Sequence, residues 1–177
     1  YAPSVMLYFQ PDGDVRACCR NQSYPLGNVA TQRLTDIWDG PRRHELGARL
    51  AVDDFSHGCE GCKWELETEG REGSYPQSFE ARASHLTDDP ATAAWPRAME
   101  FNLSNSCNLQ CIQCNGDLSS SIRIHREERP PLPKAYGDEF FDDLRLFLPH
   151  LQTVQFAGGE PFLGAENYRA WDLIAEV

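Results

Sequence analysis

Residues 98–114 read Ala98-Met99-Glu100-Phe101-Asn102-Leu103-Ser104-Asn105-Ser106-Cys107-Asn108-Leu109-Gln110-Cys111-Ile112-Gln113-Cys114. The first six residues alternate apolar and polar, as a half-buried strand does, and the cysteines follow at once. Spacings of four and then three positions put three thiolates on one tight loop, enough for three corners of a cubane iron–sulfur cluster, with no fourth Cys at short range. One iron is then left open to a chelating substrate or cofactor. Zinc sites more often show paired Cys-x2-Cys knuckles with four ligands, so this spacing favours iron and sulfide.

Working outward toward the C-terminus, Asp117 to Glu127 reads as a helix N-capped by Asp117 and ended by Pro130, Pro131 and Pro133. Phe140, Phe141, Leu144, Phe147 and Leu148 recur at helical spacing, and Pro149 stops that helix. Leu151 to Phe156 is a second alternating strand with Gly158-Gly159-Glu160 at its C-terminal end, and Tyr168 to Val177 reads as a closing helix. The acidic residues Asp138, Glu139, Asp142 and Asp143 are expected on a solvated helix face. This strand-loop-helix-strand-helix order predicts an α/β parallel sheet with its chemistry at the C-terminal ends of the strands.

Toward the N-terminus, the apolar stretch 5–10, the turn Pro11-Asp12-Gly13-Asp14 and Val15-Arg16-Ala17 predict a hairpin with Cys18-Cys19 after its second strand. Helices are expected over Thr31–Trp38 and from Pro41 through Leu50. Cys59-Glu60-Gly61-Cys62 follows, then a polar, Gly- and Pro-bearing span from Glu65 to Pro96. The expected organisation is a cysteine module over 1–70, a helical linker over 71–97 and a second unit over 98–177.

The chain has 177 residues with 16 Lys plus Arg against 27 Asp plus Glu, a net charge of −11. With an isoelectric point near 4.8 and no basic run, there is no field to neutralise phosphates, so a nucleic-acid partner is not expected. Apolar runs are only a few residues long, which argues against a membrane span, and the start lacks a secretory layout. Seven cysteines is an odd number, and their close spacing suits metal better than structural disulfides, in keeping with a cytoplasmic protein. His44, His57, His85, His125 and His150 lie in polar surroundings and are expected to face solvent. His57, two positions before Cys59, is an alternative ligand. The four tryptophans, Trp38, Trp64, Trp95 and Trp171, are expected in small cores.

The loop CNLQCIQC after one strand and FAGGEP at the end of the next resemble the radical S-adenosylmethionine (radical SAM) superfamily. The resemblance implies a partial barrel, here incomplete, in which Cys107, Cys111 and Cys114 hold a 4Fe-4S cluster whose open iron binds the amino and carboxylate groups of SAM. It further implies reductive cleavage of SAM to a 5′-deoxyadenosyl radical that abstracts hydrogen from a substrate. Gly158 and Gly159 would let the backbone approach the cofactor, and Glu160 would accept hydrogen bonds from the methionine ammonium. Where the family commonly has an aromatic residue before the third cysteine, this chain has Gln113, whose backbone is left to make the cofactor contact.

The order PDGDVRACC, PLGNV, LTDIW, GCEGC is similar to the twitch and SPASM auxiliary-cluster domains of such enzymes. That resemblance makes Cys18, Cys19, Cys59 and Cys62 ligands of an auxiliary 4Fe-4S or 2Fe-2S cluster, in a small α+β module that here precedes the core instead of following it. A structural zinc at the same residues is the alternative, in a non-catalytic interaction module. The enzyme reading carries a peptide, protein or small-molecule substrate and a reductase such as flavodoxin or ferredoxin as partners.

Overall fold

A computed structural model describes residues 1–83 and 93–177, so His85 and the stretch 84–92 of the expected linker lie outside the described residues. A short first helix, α1 (Ala2–Val5), leads into β1 (Met6–Phe9). The Pro11–Asp14 turn reverses the chain into β2 (Asp14–Arg16), paired antiparallel to β1 with Tyr8 opposite Arg16 and Phe9 opposite Val15. Gly13 makes this turn at φ +92°, in a space that a side chain would share with Asn28 and Ala135. β3 (Gly27–Asn28) adds outside β2. Then come α2 (Leu34–Trp38), α3 (Pro41–Ala51), with Pro41 in its first turn, α4 (Glu60–Thr68) and α5 (Gln77–Ala83).

The second half supplies β4 (Ala98–Phe101), α6 (Ser120–His125), α7 (Asp138–Phe147), β5 (Thr153–Phe156) and α8 (Ala165–Ala175). Pro149 turns the end of α7 into a short 3-10 segment, Leu148–His150.

All five strands form one sheet in the order β3-β2-β1-β4-β5. The sequence reading assigned the hairpin and the 98–103 strand to different units, whereas β1 pairs parallel with β4 along its length, Met6 to Ala98 through Phe9 to Phe101. β4 pairs parallel with β5. This explains the unbroken burial of Met6, Leu7, Tyr8 and Phe9: a strand flanked on both sides and covered on both faces reads as an apolar run rather than an alternation. β5 is an edge strand, and its Thr153 and Gln155 are exposed.

Register sorts the side chains. Leu7, Phe9, Val15, Met99 and Phe101 share one face and pack with Leu34, Ile37, Trp38, Leu46, Phe140, Leu144, Phe147 and Leu173 of α2, α3, α7 and α8. Phe9 stacks on Phe101 at 5.1 Å between ring centroids and meets the edge of Phe140 at 5.6 Å. On the other face, Met6 and Ala98 join Val5, Cys18 and Phe79 in a smaller cluster at the N-terminal end of β1 and β4.

Three sequence expectations are corrected. Asp143 is not on a solvated face: it is fully buried and accepts from Arg33 Nε at 2.9 Å and from the Leu34 N–H at 2.8 Å, capping α2 from α7. A side chain without an acceptor there would leave the Leu34 N–H at the start of α2 unsatisfied, and the Arg33 guanidinium favours a charged one, so the acid faces inward. The cap of α6 is Ser119, whose Oγ accepts from the Ile122 N–H at 3.3 Å, while Asp117 turns away to Arg123 and Arg129. Trp64 is 61% exposed and fills no core, because α4 buries none of its residues; Trp38 is buried. Among the described residues no helix is long and apolar enough to cross a membrane.

Candidate metal centres

The strand directions set where the cysteines go. β4 and β5 run parallel, so the loops that leave their C-terminal ends are neighbours. The first carries Cys107, Cys111 and Cys114, and the second carries Gly158-Gly159-Glu160. Contact between them is direct: the Glu160 N–H donates to the Ser106 carbonyl at 2.8 Å and the Gly159 N–H to the Leu118 carbonyl at 3.0 Å. Both glycines have positive φ, +73° at Gly158 and +56° at Gly159. A Cβ on Gly159 would lie 2.6 Å from the Ser106 carbonyl oxygen, and one on Gly158 would strike the side chain of Asn102. The pair is therefore needed for one loop to seat on the base of the other. The Glu160 carboxylate accepts from the Phe162 N–H at 3.4 Å.

The cysteine loop has no regular structure between β4 and α6, and its shape comes from side chains that the sequence reading did not single out. The Cys107 N–H donates to Ser120 Oγ at 3.1 Å, and the same hydroxyl donates back to the Cys107 carbonyl. Ser119 Oγ donates to the Leu109 carbonyl at 2.7 Å, and buried Asn105 donates to the Gly116 carbonyl at 3.1 Å. The Leu109 N–H points at Cys107 Sγ, 3.4 Å away. Cys111 is exposed, Cys107 and Cys114 are half-buried, and Gln113 lies exposed beside Ile112, which is 93% exposed. The run of serines and asparagines flanking the cysteines was the available signal for this framework.

β2 runs opposite to β1, so Cys18 and Cys19 come at the other end of the sheet. There Cys18, Cys59 and Cys62 line one cavity of about 500 Å3, with Pro3, Phe55 and Phe79 among its walls. Cys59 stands at the N-cap of α4 and Cys62 in its first turn, so this pair sits on a helix start and not wholly on a loop. The adjacent Cys19 diverges from Cys18, as neighbours on an extended segment do, and lies 3.2 Å from the Tyr75 hydroxyl. His57 turns its ring to Tyr24, 4.6 Å between centroids, and to Glu45 at 3.3 Å.

Two segments nearly 40 residues apart in sequence are joined here by Asn21. It is buried, donates to the His57 carbonyl at 2.9 Å, lies 3.6 Å from Cys59 Sγ and accepts from the Tyr24 N–H at 3.1 Å. Gly58, at φ +78°, leaves room for that amide: a Cβ would meet Asn21 Oδ1 at 2.3 Å. Burial pushes the Cys18 thiol up to about 11 and the Cys59 thiol up to about 12, the latter reinforced by Cys18 and Cys62. Cys62 is also raised by burial, with the Arg20 guanidinium opposing it.

Among the described residues no three His, Cys, Asp or Glu side chains are gathered tightly enough to hold a metal ion. The donor chemistry nonetheless fits one: soft thiols facing a shared cavity at one end of the sheet, and three on a single loop at the other.

The SPASM family model, described as an iron-sulfur cluster-binding domain, matches residues 1–63. Neither the curated proteins nor the solved structures gave a match. The SPASM match covers Cys18, Cys19, Cys59 and Cys62 and ends at Lys63, so it supports iron–sulfur cluster binding by the N-terminal stretch of a mixed α/β fold.

Proposed function

We propose that this chain is part of a radical SAM enzyme, with Cys107, Cys111 and Cys114 holding a SAM-binding 4Fe-4S cluster. In the same reading Cys18, Cys19, Cys59 and Cys62 hold an auxiliary 4Fe-4S or 2Fe-2S cluster. The observation that carries it is the seating of Gly158-Gly159-Glu160 on the base of the cysteine loop, at the C-terminal ends of adjacent parallel strands. The bound cluster and SAM supply reductive cleavage to a 5′-deoxyadenosyl radical and hydrogen abstraction from a substrate.

The chain's own residues bind and orient. The serine and asparagine frame fixes the entry and exit of the cysteine loop, and the glycine pair lets the second loop approach it. Glu160 presents an acceptor for an ammonium group, and the Gln113 backbone lies on the loop itself. On this reading residues 98–177 form part of a partial barrel, the substrate is a peptide, protein or small molecule, and flavodoxin or ferredoxin is the electron donor. A reducing compartment, the cytoplasm, suits thiolate-held iron.

Anaerobic reconstitution with iron and sulfide, followed by incubation with SAM and dithionite, tests it. The expected result is 5′-deoxyadenosine released by the native chain and abolished by joint Cys107→Ala, Cys111→Ala and Cys114→Ala replacement. Tightly held zinc, with no 5′-deoxyadenosine from a folded full-length protein, would favour the non-catalytic interaction module instead.

A further inference from the structure

Tyr75 lies beyond the matched domain, yet its hydroxyl sits 3.2 Å from Cys19 Sγ. The ring is held from several directions. Arg20 stacks on it, with the guanidinium carbon 4.2 Å from the ring centroid, and Phe79 meets it edge-on at 5.2 Å. The Tyr75 backbone N–H donates to Glu65 Oε1 at 2.9 Å, and the other oxygen of Glu65 pairs with Arg20. Arg20 follows Cys19 directly, and Glu65 stands one turn beyond Cys62 on α4. Thus both cysteine segments contribute to the frame that aims one phenol at one sulfur.

We propose that Tyr75 is a positioning residue of the auxiliary cluster, donating a hydrogen bond to the Cys19 sulfur and thereby raising the reduction potential of that cluster. The inference rests on the auxiliary-cluster reading above. A ligating thiolate carries no proton, so in the loaded state the hydroxyl has to be the donor. A hydrogen bond withdraws charge from the sulfur and favours the reduced, more negative cluster.

The test uses the full chain carrying Cys107→Ala, Cys111→Ala and Cys114→Ala, so that one cluster remains, in a dithionite redox titration followed by electron paramagnetic resonance. Tyr75→Phe keeps the ring and its packing and removes only the hydroxyl. Its expected effect is unchanged iron content with reduction about tenfold less favourable, a midpoint lower by about 59 mV for a one-electron couple. Ser78→Ala removes a hydroxyl that donates to the Tyr75 carbonyl and spares the phenol, and is expected to leave the midpoint in place. An unchanged midpoint in Tyr75→Phe, or an equal shift in both variants, overturns the proposal alone. Absence of any cluster in the parent overturns it together with the auxiliary-cluster reading.

Discussion

The two cysteine groups occupy opposite ends of one sheet and are built in opposite ways. The 107–114 loop is a single stretch, shaped largely by neighbours within about a dozen residues, with Cys111 exposed and Cys107 and Cys114 half-buried. The other group is assembled from residues 18–21 and 57–62, which Asn21, Arg20 and the fold bring together, and Cys18, Cys59 and Cys62 line a cavity. Four residues of strand, about 13 Å, separate the ends. A single loop short of one ligand suits a cluster that receives a small molecule, whereas thiols drawn from two segments around one cavity suit a closed cluster. Construction and chemistry agree at each end.

If the two ends rest on separate frames, a lesion at their joint should damage both. Asp143→Ala removes the buried carboxylate that ties α7 to Arg33 and α2, and should cost about 3 kcal/mol in urea unfolding. Iron retention should fall at both ends. The same contact gives an acid dependence. Its hydrogen bond to Arg33 holds the Asp143 carboxyl below the usual carboxylate range. Its contribution is therefore full above that range and is lost as pH falls through the lowered value. Asp143→Ala should flatten this acid limb of stability against pH.

Lesions within one frame should be selective. Asn21→Ala should cost about 2 kcal/mol and lower iron at the 18–62 end only, measured in the background lacking the loop cysteines. Gly159→Ala should cost about 1–2 kcal/mol, since it forces a left-handed residue against the Ser106 carbonyl, and should weaken the loop cluster alone. Equal iron loss at both ends from either variant would break the comparison.

A separate effect is alkaline. In the metal-free protein burial raises Cys18 to about 11 and Cys59 to about 12. Folding thus favours the protonated thiols, a contribution present below their ordinary value near 9 and lost as pH rises through 11 to 12. Unfolding curves of the metal-free chain should weaken in that window, and joint Cys18→Ala and Cys59→Ala replacement should lessen the dependence, leaving the part that comes from Tyr8 and Cys62, which burial also raises.

What was legible in the sequence was local. The strand after Arg97, the Asp-Gly hairpin turn, Pro41 opening a helix and Pro149 ending one all act within a few residues, and all reappear in the fold, although that strand, paired on both sides, is buried nearly throughout instead of alternating. The pairing of β1 with β4 joins residues about 90 positions apart, and the capping of α2 by Asp143 spans 109. Such contacts leave no periodic trace. The acidic run 138–143 looks the same whether its last member faces water or a helix N-terminus. Asn21 and Tyr75 were missed for a related reason: each is an ordinary turn or loop residue until the fold sets it beside a sulfur.

The most direct test of two unlike cluster sites is an iron count with reduced-state electron paramagnetic resonance, with and without SAM, on three full-length proteins. These are the native chain, the joint Cys107, Cys111 and Cys114 replacement by Ala, and the joint Cys18, Cys59 and Cys62 replacement by Ala. Two 4Fe-4S clusters predict about eight irons falling to about four in each variant; with a 2Fe-2S auxiliary cluster the native chain holds about six, falling to about two in the first variant and about four in the second. A SAM-dependent spectral change should be kept by the third protein and lost by the second. One cluster requiring both cysteine sets, or a SAM response that survives loss of Cys107, Cys111 and Cys114, would contradict the account.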